Sequence, residues 1–275
     1  MKTILDEIIS KLDSSKSLYC RITHMKGWRE YLEDGDMVFT PHDLHQLLLQ
    51  TLQTNPPRGE MLLYPRKKNN FTVISGDKPG KPEEALERFI TLSNPDNYCN
   101  QFPLRGRRES SDIAILSNIS KHVLIELKPW HSNNSPLYAL IESLKNLVTY
   151  RTIGIKNINY HKKFTHFNEA DLMVLAPLSY YRDYCLIDSS GSPILSNVQV
   201  VKTSLDELSK EFKTDISLMA LPLEESLFYE RCRKACYKYK KTDENETIYI
   251  EEDDAMPELK RDKWQLLVSS ARNLI

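Results

Sequence analysis

The sequence predicts an α/β fold, a central β-sheet flanked by helices, and three observations carry that expectation. Residues 112–116 and 123–128 are short runs rich in Ile, Val and Leu on either side of Ser117-Asn118-Ile119-Ser120-Lys121, which has turn composition. Ser135-Pro136 opens a segment in which Leu137, Leu140, Ile141, Leu144, Leu147 and Val148 recur at helical spacing, with serine suited to the N-cap and proline to the first helical position. A further apolar run follows at residues 171–176. Strands alternating with amphipathic helices bury their apolar faces by stacking helices on a sheet.

Taken in order, residues 1–77 suggest two helices and two strands. The first helix covers residues 3–12, with Ile4, Leu5, Ile8, Ile9 and Leu12 on one side; the second opens at Thr40-Pro41 and carries Leu44, Leu47, Leu48 and Leu52. Residues 60–65 and 71–75 are strand-like, and residues 76–81, rich in Gly, Pro and Lys, mark a boundary. Towards the C-terminus a strand is expected at residues 217–221 and a helix over 223–239 with Leu227 and Cys232 inward. An exposed acidic loop over 242–257 and a terminal helix over 260–274 complete the expectation. This divides the chain into an N-terminal extension or small domain (1–80), a core (81–178) and a C-terminal extension packing on that core (179–275).

The hairpin carries the chemistry. If its turn is symmetric about Ile119, Asp112 stands opposite Glu126, with Cβ atoms about 4.5–5.5 Å apart, and Lys128 shares the face of Glu126. Ile113, Ile115, Val123, Ile125 and Leu127 line the other face, while Ala114, Leu116 and Leu124 keep the charged face largely apolar as well. A strand apolar on both sides is an interior strand, where two opposed carboxylates repel. A hard divalent cation resolves that repulsion, taking carboxylate oxygens and waters and supplying positive charge to a phosphate.

This arrangement resembles the PD-(D/E)xK nuclease superfamily, the restriction-endonuclease-like fold, whose core runs helix, three strands, helix, strand. Residues 82–93 fit the first helix, 98–104, 110–116 and 122–128 the three strands, 136–152 the second helix and 171–176 the last strand; about a third of the chain is covered. The resemblance implies a central mixed sheet flanked by helices, with helical and strand extensions at both ends. It assigns Asp112 and Glu126 as metal ligands for magnesium (Mg2+) or manganese (Mn2+), and Lys128 as the group that orients or activates the attacking water. The family's proline before the aspartate is Ser111 here. A first-helix glutamate that completes the metal shell could be Glu83, Glu84 or Glu87, and Glu84 is favoured. Asn146 and Tyr150, one turn apart, are similar to a polar residue and tyrosine found on the second helix of some relatives, although the usual glutamine is absent.

The remaining composition bounds the function. The net charge is -1, so nucleic-acid contact would depend on local clusters: Arg105, Arg107 and Arg108 just before the second strand, Arg66 to Lys68, and Lys238, Lys240 and Lys241. Trp130 and His131 follow the third strand, where the tryptophan would either stack on a base or cover the sheet edge. His42 and His45 share a helix face. Five scattered cysteines form no zinc or disulfide pattern. The chain has no G-x(4)-G-K-[ST], H-E-x-x-H or G-x-S-x-G motif, which sets aside phosphate-loop ATPases, zincins and α/β-hydrolases. The N-terminus has neither a signal-peptide nor a transit-peptide pattern, and no run is long enough to cross a bilayer, so a cytoplasmic protein is expected. The expected function is a metal-dependent nuclease acting on DNA, with RNA the other polymer open and a homodimer possible. The alternative is a catalytically inactive module of the same fold that binds nucleic acid or protein.

Overall fold

The computed structural model describes residues 41–54, 82–94, 98–105, 109–115, 121–132, 134–156, 169–234, 237–242, 245–250 and 256–270. The helix expected at residues 3–12 and the strands expected at 60–65 and 71–75 lie outside them. Helix α1 (Pro41–Thr54) and helix α2 (Pro82–Ser93) both begin at a proline, whose fixed φ suits the first turn. Strands β1 (Tyr98–Arg105), β2 (Glu109–Ile115) and β3 (His122–Leu127) follow, then helix α3 (Pro136–Lys156) and strand β4 (Ala170–Pro177). Ser135 caps α3 as expected: its Oγ accepts the Tyr138 N–H at 3.1 Å. Helix α4 (Leu178–Asp183), helix α5 (Leu195–Phe212), strand β5 (Ile216–Leu221) and helix α6 (Glu225–Lys234) come next.

The C-terminal part departs from the expected helices and loop. Strand β6 (Tyr237–Thr242) pairs antiparallel with strand β7 (Asn245–Ile250), where a longer helix and an acidic loop were expected. Tyr237-Lys238-Tyr239-Lys240 alternates with the period of a strand. Two 3-10 turns, Pro257–Leu259 and Arg261–Lys263, lead into strand β8 (Gln265–Ser269), where a terminal helix was expected. Its Leu267 and Val268 are buried beside β5, and pairing along an open sheet edge outweighs helix propensity there. Helix α5 was not anticipated, although Val201, Leu205, Leu208 and Phe212 form a buried helical stripe.

The main sheet has six strands in the order β1-β2-β3-β4-β5-β8. β1, β2 and β3 are antiparallel neighbours, β3, β4 and β5 run parallel, and β8 closes the far side antiparallel. The sheet is therefore mixed, and two of its strands come from beyond residue 178. Its two faces carry separate apolar clusters, as expected of a parallel-centred sheet covered by helices. On one face Ala114, Leu124, Leu172, Val174 and Leu218 meet α1, α3 and α5. On the other Ile113, Ile125, Leu127 and Leu175 meet Leu86, Phe89 and Ile90 of α2 and Phe228 of α6.

Side chains tie the first of these layers together. His42 and His45 of α1 both hydrogen-bond through Nδ1 to the same Glu211 oxygen on α5, at 3.1 and 3.0 Å. Arg151 of α3 donates to the Phe212 and Lys213 carbonyls at the end of α5, where Lys213 turns left-handed at φ 50°. Helix α3 is thus held against both its neighbours and the sheet, which fixes the side chains it presents to β3.

Candidate active site

The β2–β3 register is the one expected from a turn symmetric about Ile119: Ile113 pairs with Ile125, Ala114 with Leu124 and Ile115 with Val123. One further step sets Asp112 beside Glu126. Beyond the Ile113–Ile125 pair, side chains replace the backbone ladder. The Leu127 N–H donates to Asp112 Oδ2 at 2.8 Å, and the buried Ser111 hydroxyl donates to the Ile113 and Ile125 carbonyls at 3.1 and 3.0 Å. Ser111 therefore closes the backbone where β2 and β3 part, which satisfies polar groups that burial would otherwise strand.

β3 delivers the other two groups. Glu126 is 7% and Lys128 4% exposed, and Lys128 follows β3 directly, its own N–H still bonded to the Leu175 carbonyl of β4 at 2.9 Å. Lys128 Nζ donates to Glu126 Oε1 at 2.8 Å and to Glu142 Oε2 of α3 at 3.0 Å, and it sits 5.9 Å from the centre of the Tyr138 ring. Asn146 Nδ2 faces Glu126 Oε2 at 3.5 Å, and the Tyr150 hydroxyl meets His122 Nδ1 at 3.3 Å. Tyr138, Glu142, Asn146 and Tyr150 recur every fourth residue, so they form one row along α3, facing β3. Asn146, set down from the sequence as half of a pair with Tyr150, reaches Glu126; Tyr150 reaches His122 instead. Glu142 was missed, and the four-residue spacing of this polar row was the signal that could have found it.

Charge balance at the site is uneven. Asp112, Glu126 and Glu142 face one ammonium, so with all groups ionised two negative charges are left over. Burial pushes the Asp112 carboxyl up to about 7, against the pull of Lys128, and Glu83 and Glu142 push it the same way. Burial, then Asp112, raises Glu126 well above the usual carboxylate range. For Lys128 burial alone would favour the neutral amine, but Glu126, Glu142 and Asp112 together raise its pKa and keep it charged.

Helix α2 corrects the expectation for its glutamates. Glu84 is exposed and forms an ion pair with Arg88, one turn on, at 3.5 Å. Glu87 is 3% exposed and Glu83 half-buried, and Glu83 is the one whose charge acts on Asp112. Glu83 and Glu87 are one turn apart, on the side adjoining Leu86 and Ile90, whereas Glu84 and Arg88 form the outer side. Of the two expectations for Trp130 the structure selects cover of the sheet edge over stacking on a base. The tryptophan is 4% exposed, its indole N–H donates to the Leu223 carbonyl at 3.0 Å and its ring packs on Phe228 at 4.9 Å, so it anchors the core under the sheet edge and has no face free for a base. His131 beside it is left-handed at φ 54° and lies between Asp183 and Glu225 at 3.4 and 3.5 Å. The Tyr180 and Tyr184 hydroxyls donate to the Asn134 and Ser132 carbonyls, holding the turn from Lys128 into α3. Of the arginines, Arg107 and Arg108 lie outside the described residues and Arg105 ends β1.

Among the described residues no three or more His, Cys, Asp or Glu side chains are gathered where they could hold a metal ion. Asp112 and Glu126 are a pair, which is the number of carboxylates a magnesium site commonly uses when waters fill the rest of its shell. Asp112 spends Oδ2 on a backbone N–H and Glu126 spends Oε1 on Lys128. The chemistry of this donor set, hard carboxylate oxygens whose charge Lys128 offsets only in part, fits a divalent cation. No family model matches the chain, and neither a curated protein nor a solved structure gives a match.

Proposed function

We propose that this protein is a divalent-metal-dependent phosphodiesterase, and specifically a nuclease of the PD-(D/E)xK type acting on DNA. The observation that carries the reading is the Asp112–Glu126–Lys128 set, Glu126 and Lys128 buried and Asp112 half-buried beside them, with its surplus negative charge, in the middle of an otherwise apolar sheet. A buried charge without compensation costs several kcal/mol, so a strand keeps one where it is used. The order of elements supports the resemblance: a helix, three antiparallel strands, a helix, and a strand parallel to the third. DNA as the polymer rests on that resemblance alone.

In this reading Asp112 and Glu126 hold magnesium or manganese, which when bound offsets phosphate charge and makes a coordinated water more acidic. Lys128 stays protonated among its carboxylates, so its Nζ orients the attacking water and meets the charge that develops on the phosphate oxygens. Glu83 or Glu87 is the first-helix carboxylate with access to this set, in place of Glu84. Cutting both strands of a duplex would need two such sites, which a homodimer would provide.

The test is cleavage of supercoiled plasmid, linear duplex and single-stranded DNA with Mg2+ or Mn2+, comparing the wild type with Asp112→Ala and Lys128→Ala. The expected result is metal-dependent cleavage by the wild type, lost in both variants. A wild type that cuts none of these substrates and binds no metal would sink the nuclease reading and leave the same chain as an interaction module.

A further inference from the structure

We infer that Glu142 is a positioning residue for Lys128, and that the Glu142–Lys128 contact, more than the Glu126–Lys128 contact, directs the ammonium during the proposed hydrolysis. The inference rests on the nuclease reading and adds a residue to it. Glu126 has two demands on it: its oxygens are wanted by a cation, and one of them is engaged by Lys128 Nζ at 2.8 Å. A cation and an ammonium compete for the same carboxylate and repel each other across it. When Glu126 turns to the cation, Lys128 needs a second acceptor to remain charged and aimed.

Glu142 is built to be that acceptor. Its Oε2 lies 3.0 Å from Lys128 Nζ, and it approaches from α3 while Glu126 approaches from the strand. The position is fixed from both ends: Ser135 caps the helix two turns earlier, and Asn146, the next residue of the row, faces Glu126. Tyr138, one turn before Glu142, places its ring 5.9 Å from Nζ, so the same row closes a further side of the ammonium. An ordinary surface pair contributes little, because water competes for both partners. Here Lys128 is 4% exposed and Glu142 31%, so the lysine has few other acceptors to turn to.

The experiment compares full-length wild type, Glu142→Ala and Glu142→Gln in plasmid cleavage, varying DNA and Mg2+ separately and recording melting temperatures. Glu142→Ala should lower kcat by on the order of 10²-fold, the cost of a misdirected catalytic group, with KM for DNA unchanged and the loss persisting at saturating Mg2+. Glu142→Gln, which keeps a carbonyl acceptor without the charge, should recover part of the loss. A merely structural glutamate would lower the melting temperature without this split between kcat and KM. Glu142→Ala with wild-type kcat overturns the inference and leaves the nuclease reading standing. So does a variant whose kcat returns at high Mg2+, because Glu142 would then be a metal ligand. A wild type that cleaves nothing overturns the nuclease reading itself, and this inference with it.

Discussion

β3 and β4 run side by side in parallel, paired residue for residue from His122–Ala170 to Leu127–Leu175, and they fill the same interior in opposite ways. β4 presents Leu172, Val174 and Ala176 to the helices α3 and α5, all buried and all apolar. β3 presents Leu124 and then, in register with Val174, Glu126. The neighbouring strand demonstrates that an aliphatic side chain fits this layer. Glu126 and Lys128 are therefore no packing necessity, and β3 keeps them at a cost that β4 avoids.

The largest effect should come from removing the one cation of the set. Lys128→Met leaves Asp112, Glu126 and Glu142 facing one another and should destabilise the metal-free protein by about 3–5 kcal/mol in urea unfolding. Turning β3 into a second β4 is the opposite manipulation. Asp112→Asn with Glu126→Val and Lys128→Leu keeps an acceptor for the Leu127 N–H and removes the buried charges. It should match or exceed wild-type stability, by up to about 4 kcal/mol, while abolishing cleavage. A triple variant as unstable as Lys128→Met would mean that the charges hold the fold together, and the contrast between the strands would fail.

A smaller, graded effect follows from protonation. Burial pushes the Asp112 carboxyl up to about 7 in the folded chain, against an ordinary value of about 3.9 when unfolded. Between those values the native state holds a proton that the unfolded state has lost. Metal-free stability should accordingly fall as pH rises from about 4 through about 7. Glu126, raised in the same direction, adds to the slope. Urea midpoints across this range, in wild type and Asp112→Asn, check the sign; the variant should show a shallower fall. Saturating Mg2+ should flatten the wild-type slope, because a bound cation requires deprotonated ligands. The smallest effect is expected from Glu84→Ala, an exposed position in an ion pair with Arg88 of its own helix: stability within about 0.5 kcal/mol of wild type and cleavage unchanged.

How much of this was legible in the sequence depends on the distance over which the determining contact acts. The opposition of Asp112 and Glu126 was readable because strand alternation and the spacing of the two apolar runs set it locally. The cap at Ser135 and the first helix at Pro82–Ser93 were readable for the same reason. The choice of glutamate on α2 was not, since Glu83 and Glu84 differ by one 100° step around the helix and only docking decides which points inward. Trp130 was ambiguous for a related reason: its burial depends on Leu223 and Phe228, some ninety residues on. Gln265–Ser269 was misread because its strand exists only by pairing with β5. Glu142 was hidden among the apolar residues that identified its helix, and it gains meaning once that helix is laid across Lys128.

The most direct test of the central claim, that the paired carboxylates of β2 and β3 are a cation site, is calorimetric titration of the metal-free protein with Mn2+. Wild type and Glu84→Ala should bind one cation per chain with equal affinity, and Asp112→Asn should lose that binding while remaining folded. Equal binding by Asp112→Asn, or none by the wild type, would contradict it.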